Sequence, residues 1–459
     1  MNYLNYLNYL NNLKNLRYLC LAAFGLLFTA AIAPAQAGLF NPNVFMLDNG
    51  MQVVVIEDHR APVVTQMVWY KIGAADEPEG KSGVAHFLEH LLFKGTKDAP
   101  GSTFSRTVAA NGGRENAFTS HDFTGYFQTL AADRLEAVMK LEADRMVNIV
   151  LTDAEVATER DVVLEERRSR TENNPSSMLS EQMAAAQFLA LPYRNPVIGW
   201  NHEIRQLNRE DALAFYHQYY APNNAILIVA GDVMTADVKR LAEKYYGVIP
   251  PSKDISRSRP KEPPQIAARR IEYADVRVRQ ASWRRTYLAP SVMAGETEHS
   301  LPLDLAAHIL GGGTTSRLYQ SLVVEQKIAA SAGAWYSGTA VDMGRFGLYG
   351  QPVPGGDVAK VEAAVDAEIV KFIEVGVTEK ELARAKAGMI AATTYARDSV
   401  TTTARIFGRS LVIGRTVEDV ESWPERVAAV TVAQVQAAAQ HVFDIRRSVT
   451  GLLLPKKKG

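Results

Sequence analysis

Between Ser82 and Gly95 the chain reads Ser-Gly-Val-Ala-His-Phe-Leu-Glu-His-Leu-Leu-Phe-Lys-Gly, and a helix is the conformation that sorts these residues. Val84, Phe87, Leu88, Leu91 and Leu92 fall at i, i+3, i+4, i+7 and i+8, a continuous apolar stripe. At about 100° per residue, His86, Glu89 and His90 gather on the other side. Two imidazoles one turn apart can aim at a single ion with a carboxylate beside them. Ser82 is placed to cap the helix and Gly95 to stop it. The segment therefore needs an apolar layer against one face and an ion-binding surface on the other, in the residue order HxxEH.

The rest of the 459 residues must supply that surrounding, and the length predicts two or three domains. Hydrophobic residues at 47% and charged residues at 22% describe an ordinary globular protein. With 50 basic and 50 acidic residues, nothing marks a nucleic-acid surface or a polybasic membrane anchor. Residues 1–37 differ: Lys14 and Arg17 but no acid, an apolar run from Leu19 to Ile32, then Ala35-Gln36-Ala37. These are the parts of a cleaved secretory signal peptide, and the apolar run is short for a membrane span. The only cysteine, Cys20, lies within it, and Arg17-Tyr18-Leu19 lacks the small residues of a lipoprotein signal. The expectation is a periplasmic bacterial protein without disulfides or a stable membrane anchor, with 48 basic against 50 acidic residues after cleavage.

Val53–Ile56 and Val63–Tyr70 read as strands, and Asn116–Leu130, rich in Thr and aromatics, reads as another. Helical periodicity returns over Arg134–Val147, Asp153–Arg170 and Arg209–Tyr220, the last leading into the buried-type strand Ala225–Ala230. Residues 250–268, with five prolines between 250 and 264, read as a linker. Beyond the linker the pattern of the first half recurs: a strand from Val278 to Tyr287, a helix over Leu301–Leu310, a strand at Phe346–Tyr349, and helices over Val358–Glu374 and Thr378–Arg397. Val432–Phe443 and Ser448–Leu454 then repeat the final helix and strand. The expected fold is α+β: two similar domains, 38–249 and 269–459, each a mixed sheet with helices on one face. In the slot of the HxxEH helix the second half carries only His308. Gly311-Gly312-Gly313 lacks the lysine of a phosphate loop and reads as a turn.

A catalytic zinc takes three protein ligands and keeps an open position, so His86 and His90 need a third partner. Glu159 and Glu166 stand at i, i+7 on a stripe shared with Val156, Val162 and Val163, where a carboxylate is costly unless a cation or hydrogen bonds meet it. Glu165-Glu166-Arg167-Arg168 reads equally well as a solvated charge run. His121 reads as a surface or hydrogen-bonded residue. His59, His202, His217, His299, His308 and His441 have no partner at metal-ligand spacing.

Together these residues resemble the pitrilysin, insulinase and mitochondrial processing peptidase family, in its short bacterial two-domain type. The resemblance rests on the HFLEH helix with its Lys94-Gly95-Thr96 exit, Asn116-Ala117-Phe118-Thr119, Val162–Glu166 and the Ala221–Asp232 unit. In that family the third ligand is a glutamate some 76 positions after the second histidine, which here is Glu166, and Glu159 matches an acidic position behind the ligands. The resemblance implies a zinc-dependent endopeptidase with one Zn2+ per chain. Glu89 is then the general base toward a water at the metal. It also implies that the strand containing Asn116, Ala117, Phe118 and Thr119 receives an extended peptide by β-addition.

One element of the family pattern is missing. Single-unit members carry in the second half an Arg and a Tyr, seven positions apart, that hold the substrate carbonyl. Here those places fall on Val323 and Ala330, with Arg317, Tyr319 or Tyr336 as nearby substitutes. Losing one such donor typically costs roughly 10²–10³ in rate. The resemblance therefore implies a heterodimer in which a relative lacking HxxEH supplies the Arg/Tyr pair. The alternatives are a non-catalytic assembly subunit of a larger complex, or a zinc hydrolase acting on another bond.

Overall fold

A computed structural model describes residues 38–253 and 255–456. The leader expected over 1–37 and Lys457-Lys458 of the basic tail lie outside the described residues. Residues 42–459 make up one unit; ahead of it, residues 38–41 carry neither helix nor strand.

Runs of Val, Ile and aromatic residues form the strands, as their branched side chains favour. β1 (Asn43–Met46), β2 (Gln52–Glu57), β3 (Val63–Tyr70), β4 (Arg114–Thr119), β5 (Thr124–Ala131) and β6 (Ala225–Gly231) build one sheet in the order β1-β2-β6-β3-β5-β4. β6 is buried at every residue, parallel to β2 with Val53 opposite Leu227 and antiparallel to β3 with Val68 opposite Leu227. β7 (Arg269–Asp275), β8 (Ser282–Ala289), β9 (Ala329–Ser337), β10 (Gly344–Pro352) and β11 (Ser448–Pro455) build the second, in the order β7-β11-β8-β10-β9. With β1 set aside, both sheets trace one path: first, fifth, second, fourth and third strand, only the first and fifth being parallel. The expected duplication is therefore present strand by strand. The helices α1 (Val84–Leu91) and α4 (Ser300–Gly311) occupy the same slot, between the second and third strands of their halves.

The helices covering the sheets are partly exchanged. α2 (Asp153–Arg167) stays in the first half, against α1. α3 (Pro175–Gln187) crosses to the second sheet, where Leu179 and Met183 pack on Val449 and Leu453. α5 (Val358–Val375) covers the second sheet on its other side, and α6 (Val400–Leu411) crosses to β3 and β6 of the first. A Cβ on Gly408 would lie 2.1 Å from Trp69 Cε2, so glycine is what lets this helix approach the sheet. The division into 38–249 and 269–459 thus parts the sheets but not the helices that cover them.

Three details depart from the sequence reading. The segment Asn116–Leu130 is two strands, β4 and β5: Ser120 Oγ accepts from the backbone of Asp122 (3.1 Å) and Phe123 (3.2 Å) and turns the chain between them. The strand expected from Val278 begins at Ser282, because Asp275 accepts from the Arg277 backbone at 2.8 Å and closes a turn first. The proline-rich segment 250–268 is a fastened strap. Arg259 pairs with Asp76 (2.7 Å), Asp122 (2.6 Å) and Asp342 (2.9 Å), and Glu262 accepts from the backbone of Leu189, Ala190 and Leu191. Among the described residues no helix is long and apolar enough to cross a membrane.

Candidate metal centre

α1 sits where its two faces require. Val84, Phe87, Leu88 and Leu91 are at most 1% exposed in the core of the first sheet. The expected cap does not form: Ser82 Oγ accepts instead from the Trp200 backbone at 2.9 Å. Glu77 replaces it, its two carboxyl oxygens accepting from Gly83 N and Ala85 N at 2.9 Å each at the positive end of the helix. Burial pushes the Glu77 carboxyl well up against those two donors. Gly83 has φ +90°, and a Cβ there would lie 2.6 Å from Ile198 O, so the tight entry admits no side chain. Gly95, at φ +104°, ends the exit from the helix as expected.

α2 opens on a capping box, Thr152 with Glu155, and runs until a π-helical stretch over Arg168–Glu172, an irregularity frequent beside functional sites. Glu159 and Glu166, two turns apart, both face α1. Ligand atoms of His86, His90 and Glu166 lie within 4.8 Å of one another. Glu166 Oε2 is 3.3 Å from His90 Nε2 and 3.8 Å from His86 Nε2. The two rings stand 4.7 Å apart at 70°. Glu159 lies behind, accepting from His90 Nδ1 at 2.9 Å and pairing with Lys94 through its other oxygen. Glu166 pairs through its second oxygen with Arg170. The solvated reading of Glu166 is therefore not what the fold adopts: its side chain is 14% exposed.

The electrostatics show what this cluster attracts. Burial opposes charge on His90, yet hydrogen bonds to Glu159 and Glu166 outweigh it and hold that imidazole's pKa up to about 9. Burial and the neighbouring His90 charge push His86 down to about 4. Glu166 is pulled below the usual carboxylate range, chiefly by its bond to His90. Among the described residues Nδ1 of buried His86 has no hydrogen-bond partner, and Nε2 at 3.8 Å is beyond hydrogen-bonding reach of Glu166. Two neutral-capable imidazoles and a carboxylate form the His₂Glu donor set of catalytic zinc, and an ion at Nε2 of both histidines fits these residues.

Glu89 is 9% exposed and shares the histidines' face without joining the ligand cluster. Burial raises its pKa, against a short hydrogen bond donated by the Thr119 hydroxyl. Thr119 ends β4, the outermost strand of its sheet, which packs against α1. Of the other strand residues singled out in the sequence, Ala117 packs on the core and Phe118 lies tilted at 60° against Trp69, 4.7 Å between ring centres. Asn116 Oδ1 accepts from the Ala117 backbone at 2.9 Å. His121 is hydrogen-bonded, its Nε2 to Asn195 O at 3.0 Å.

In the second half, Val323 lies in a π-helical turn and Ala330 in β9. Two of the nearby substitutes have other partners. Arg317 forks onto Glu381 at 2.6 and 2.8 Å, and the Tyr336 hydroxyl donates to Pro290 O at 2.5 Å. The sequence reading missed Lys94, Arg170 and Glu77. Lys94 and Arg170 lie at i+4 from His90 and Glu166, a spacing that signals a shared helix face; Glu77, in an irregular loop, had no such signal.

Comparison with known proteins bears on this site. Residues 52–200 match the family described as insulinase (peptidase family M16), and residues 206–389 match the domain described as peptidase M16 inactive domain. The chain is 31% identical over 446 residues to the zinc protease PqqE of Helicobacter pylori, covering 96% of this chain and 98% of that one. It is 29% identical to a zinc protease of Mycobacterium leprae, over 87% and 89% of the two chains. The crystal structure of a protease from Helicobacter pylori superposes with a TM-score of 0.84 at 29% identity, covering 90% of this chain and 99% of that one.

Proposed function

This chain belongs to the insulinase (M16) peptidase family, and on that premise we propose that it is a zinc-dependent endopeptidase acting on extended peptides. The observation that carries the reading is the convergence of His86, His90 and Glu166 within 4.8 Å, with Glu89 beside them on the same helix face. His86, His90 and Glu166 would hold one zinc ion, which would supply Lewis acidity toward a peptide carbonyl and toward water.

Glu89 takes the water's proton and later returns it to the leaving amine. Its burial supports this role, since a carboxyl raised in pKa is a stronger base. The Thr119 hydroxyl holds one oxygen of Glu89 and fixes its direction. Glu159 fixes the His90 ring so that Nε2 points into the site. An extended substrate adds to the free edge of β4, along Asn116, Ala117, Phe118 and Thr119, and this edge places a backbone carbonyl beside Glu89.

The chain acts in the periplasm, a reading supported by the composition of residues 1–37. A second peptidase-like chain lacking HxxEH completes the site: Val323 and Ala330 offer no side-chain donor, Arg317 and Tyr336 are held by Glu381 and Pro290, and Tyr319 alone does not restore an Arg/Tyr pair. Elemental analysis and a quenched peptide library, with and without a co-purifying partner, test the whole reading. The expected result for Glu89→Gln is full zinc content with turnover reduced roughly 10²–10⁴-fold. Cleavage at the parent rate by that variant would remove Glu89 from the mechanism.

A further inference from the structure

The face of the second sheet that α3 partly covers carries two arginines that form no ion pair among the described residues. Along β8 the side chains alternate: Trp283 and Tyr287 join the helix-covered core, while Arg284 points to the opposite side. Arg285, one residue on, faces the helices and is paired with Glu362 at 2.7 Å and with Asp366. Arg284 reaches only two hydroxyls of α3, Ser180 Oγ at 2.6 Å and Ser176 Oγ at 2.8 Å. On β10, Arg345 shares this face and lies between rings, 5.7 Å from Phe188 and 5.8 Å from Trp335. Burial depresses the pKa of both guanidinium groups, and among the described residues neither is in an ion pair.

Both arginines line one cavity of about 700 Å³ between α3 and the β9–β10 edge, together with Glu181, whose two oxygens are taken by Arg167 at 2.8 and 2.9 Å. Its floor is aromatic. Trp335 lies across Gly347, where a Cβ would stand 2.1 Å from Cε2, and Tyr349 lies across Gly333 at 2.5 Å from its hydroxyl. Arg345 also lines an adjoining cavity of about 150 Å³ with Ser120 and His121, which come directly after Thr119, the residue bonded to Glu89. The edge of β4 therefore leads from the metal centre to Arg345. Two partly buried guanidinium groups without an ion-pair partner favour anions in the cavity they line, and either fork can accept a planar carboxylate.

We propose that the cavity lined by Arg284 and Arg345 is an anion subsite for carboxylates of the peptide substrate, from acidic side chains or a free C-terminus. The inference rests on the peptidase reading, and it adds a substrate class: peptides with an anionic group displaced from the cleaved bond. Fluorescence anisotropy on full-length Glu89→Gln protein measures it without hydrolysis. Four labelled ten-residue peptides differ only in Glu or Gln at three positions, and in a free or amidated C-terminus.

The anionic peptides are expected to bind about tenfold more tightly at low salt, an advantage that shrinks as salt rises and vanishes in Arg284→Gln/Arg345→Gln. An advantage that tracks Glu assigns the side chain, and one that tracks the free C-terminus assigns that end; either supports the subsite. Equal affinity of all four peptides overturns it, as does a preference retained by a folded double variant. Should the double variant lose its circular dichroism, Arg345→Lys decides: it keeps the charge but not the fork and is expected to lose part of the advantage, whereas an undiminished one overturns the subsite. A peptide preference found on a chain without zinc or hydrolysis sinks the peptidase reading alone.

Discussion

Glu159→Ala tests whether the residue behind the ligands governs the metal. Glu159 touches no ion in the proposed arrangement; it holds His90 Nδ1 at 2.9 Å and is 7% exposed, so bulk water replaces it poorly. Outer partners of this kind change metal affinity by roughly 10–100-fold, or about 1.4–2.8 kcal/mol at 1.4 kcal/mol per tenfold. The low exposure places the effect toward the upper end. Lys94, which also loses its partner, has a side chain 30% exposed and can rehydrate, so it adds little to the effect. Competition of the metal-free protein against a chromophoric zinc chelator measures the constant directly. Glu159→Gln, which keeps an acceptor but not the charge, is expected between the parent and the alanine variant. If alanine and parent agree within twofold while both remain folded, the orientation of His90 does not depend on Glu159 and the reasoning fails.

Gly408→Ala places a methyl 2.1 Å from Trp69 Cε2, so a side chain only 2% exposed must move. Overpacking of this kind costs about 1–3 kcal/mol, read as a lower guanidinium midpoint; an unchanged midpoint would mean that α6 does not pack on the first sheet. Asp304 is held up to about 7 by burial, against the attraction of Arg415 and Arg409. With its folded pKa above the unfolded 3.8, its stabilising contribution is present below about pH 4 and lost as pH rises through about 7. Asp304→Asn is therefore expected to melt at higher temperature than the parent at pH 8, with the gain fading toward pH 4; a gain independent of pH would show that Asp304 does not titrate in this way.

The site was more legible than its surroundings for a physical reason. His86, Glu89 and His90 lie within one helix, where the 3.6-residue period alone decides which side chains meet. Glu166 was ambiguous because a charged residue near a helix end reads the same whether it faces solvent or a partner helix; only the packing of α2 on α1 decides. The duplication was visible because the last helix and strand of each half repeat at matching places. What stayed hidden is non-local. The exchange of α3 and α6 depends on which sheet each helix covers, and neither helix carries a mark of its destination. The strap 250–268 looked like a free linker because its anchors, Asp76, Asp122 and Asp342, are far away in sequence.

The duplicated frame also predicts how many ions the chain holds. In each half a helix beyond the fourth strand brings a carboxylate against its neighbours, and the halves differ in what meets it. In the second, Glu381 on Glu379–Ala396 receives both arms of Arg317 at 2.6 and 2.8 Å and the Thr378 backbone at 2.9 Å. Chiefly through Arg317 its pKa is pulled down to about 2. That carboxylate is satisfied by the chain itself and needs no cation. In the first half, the arginine on Glu166 is 75% exposed, a weak surface partner, and the remaining oxygen faces only imidazoles. Tight binding should therefore saturate at one zinc per chain and fall to none in Glu166→Gln, with secondary structure retained. A second tight equivalent that survives Glu166→Gln would show that the equipped half is not the one identified.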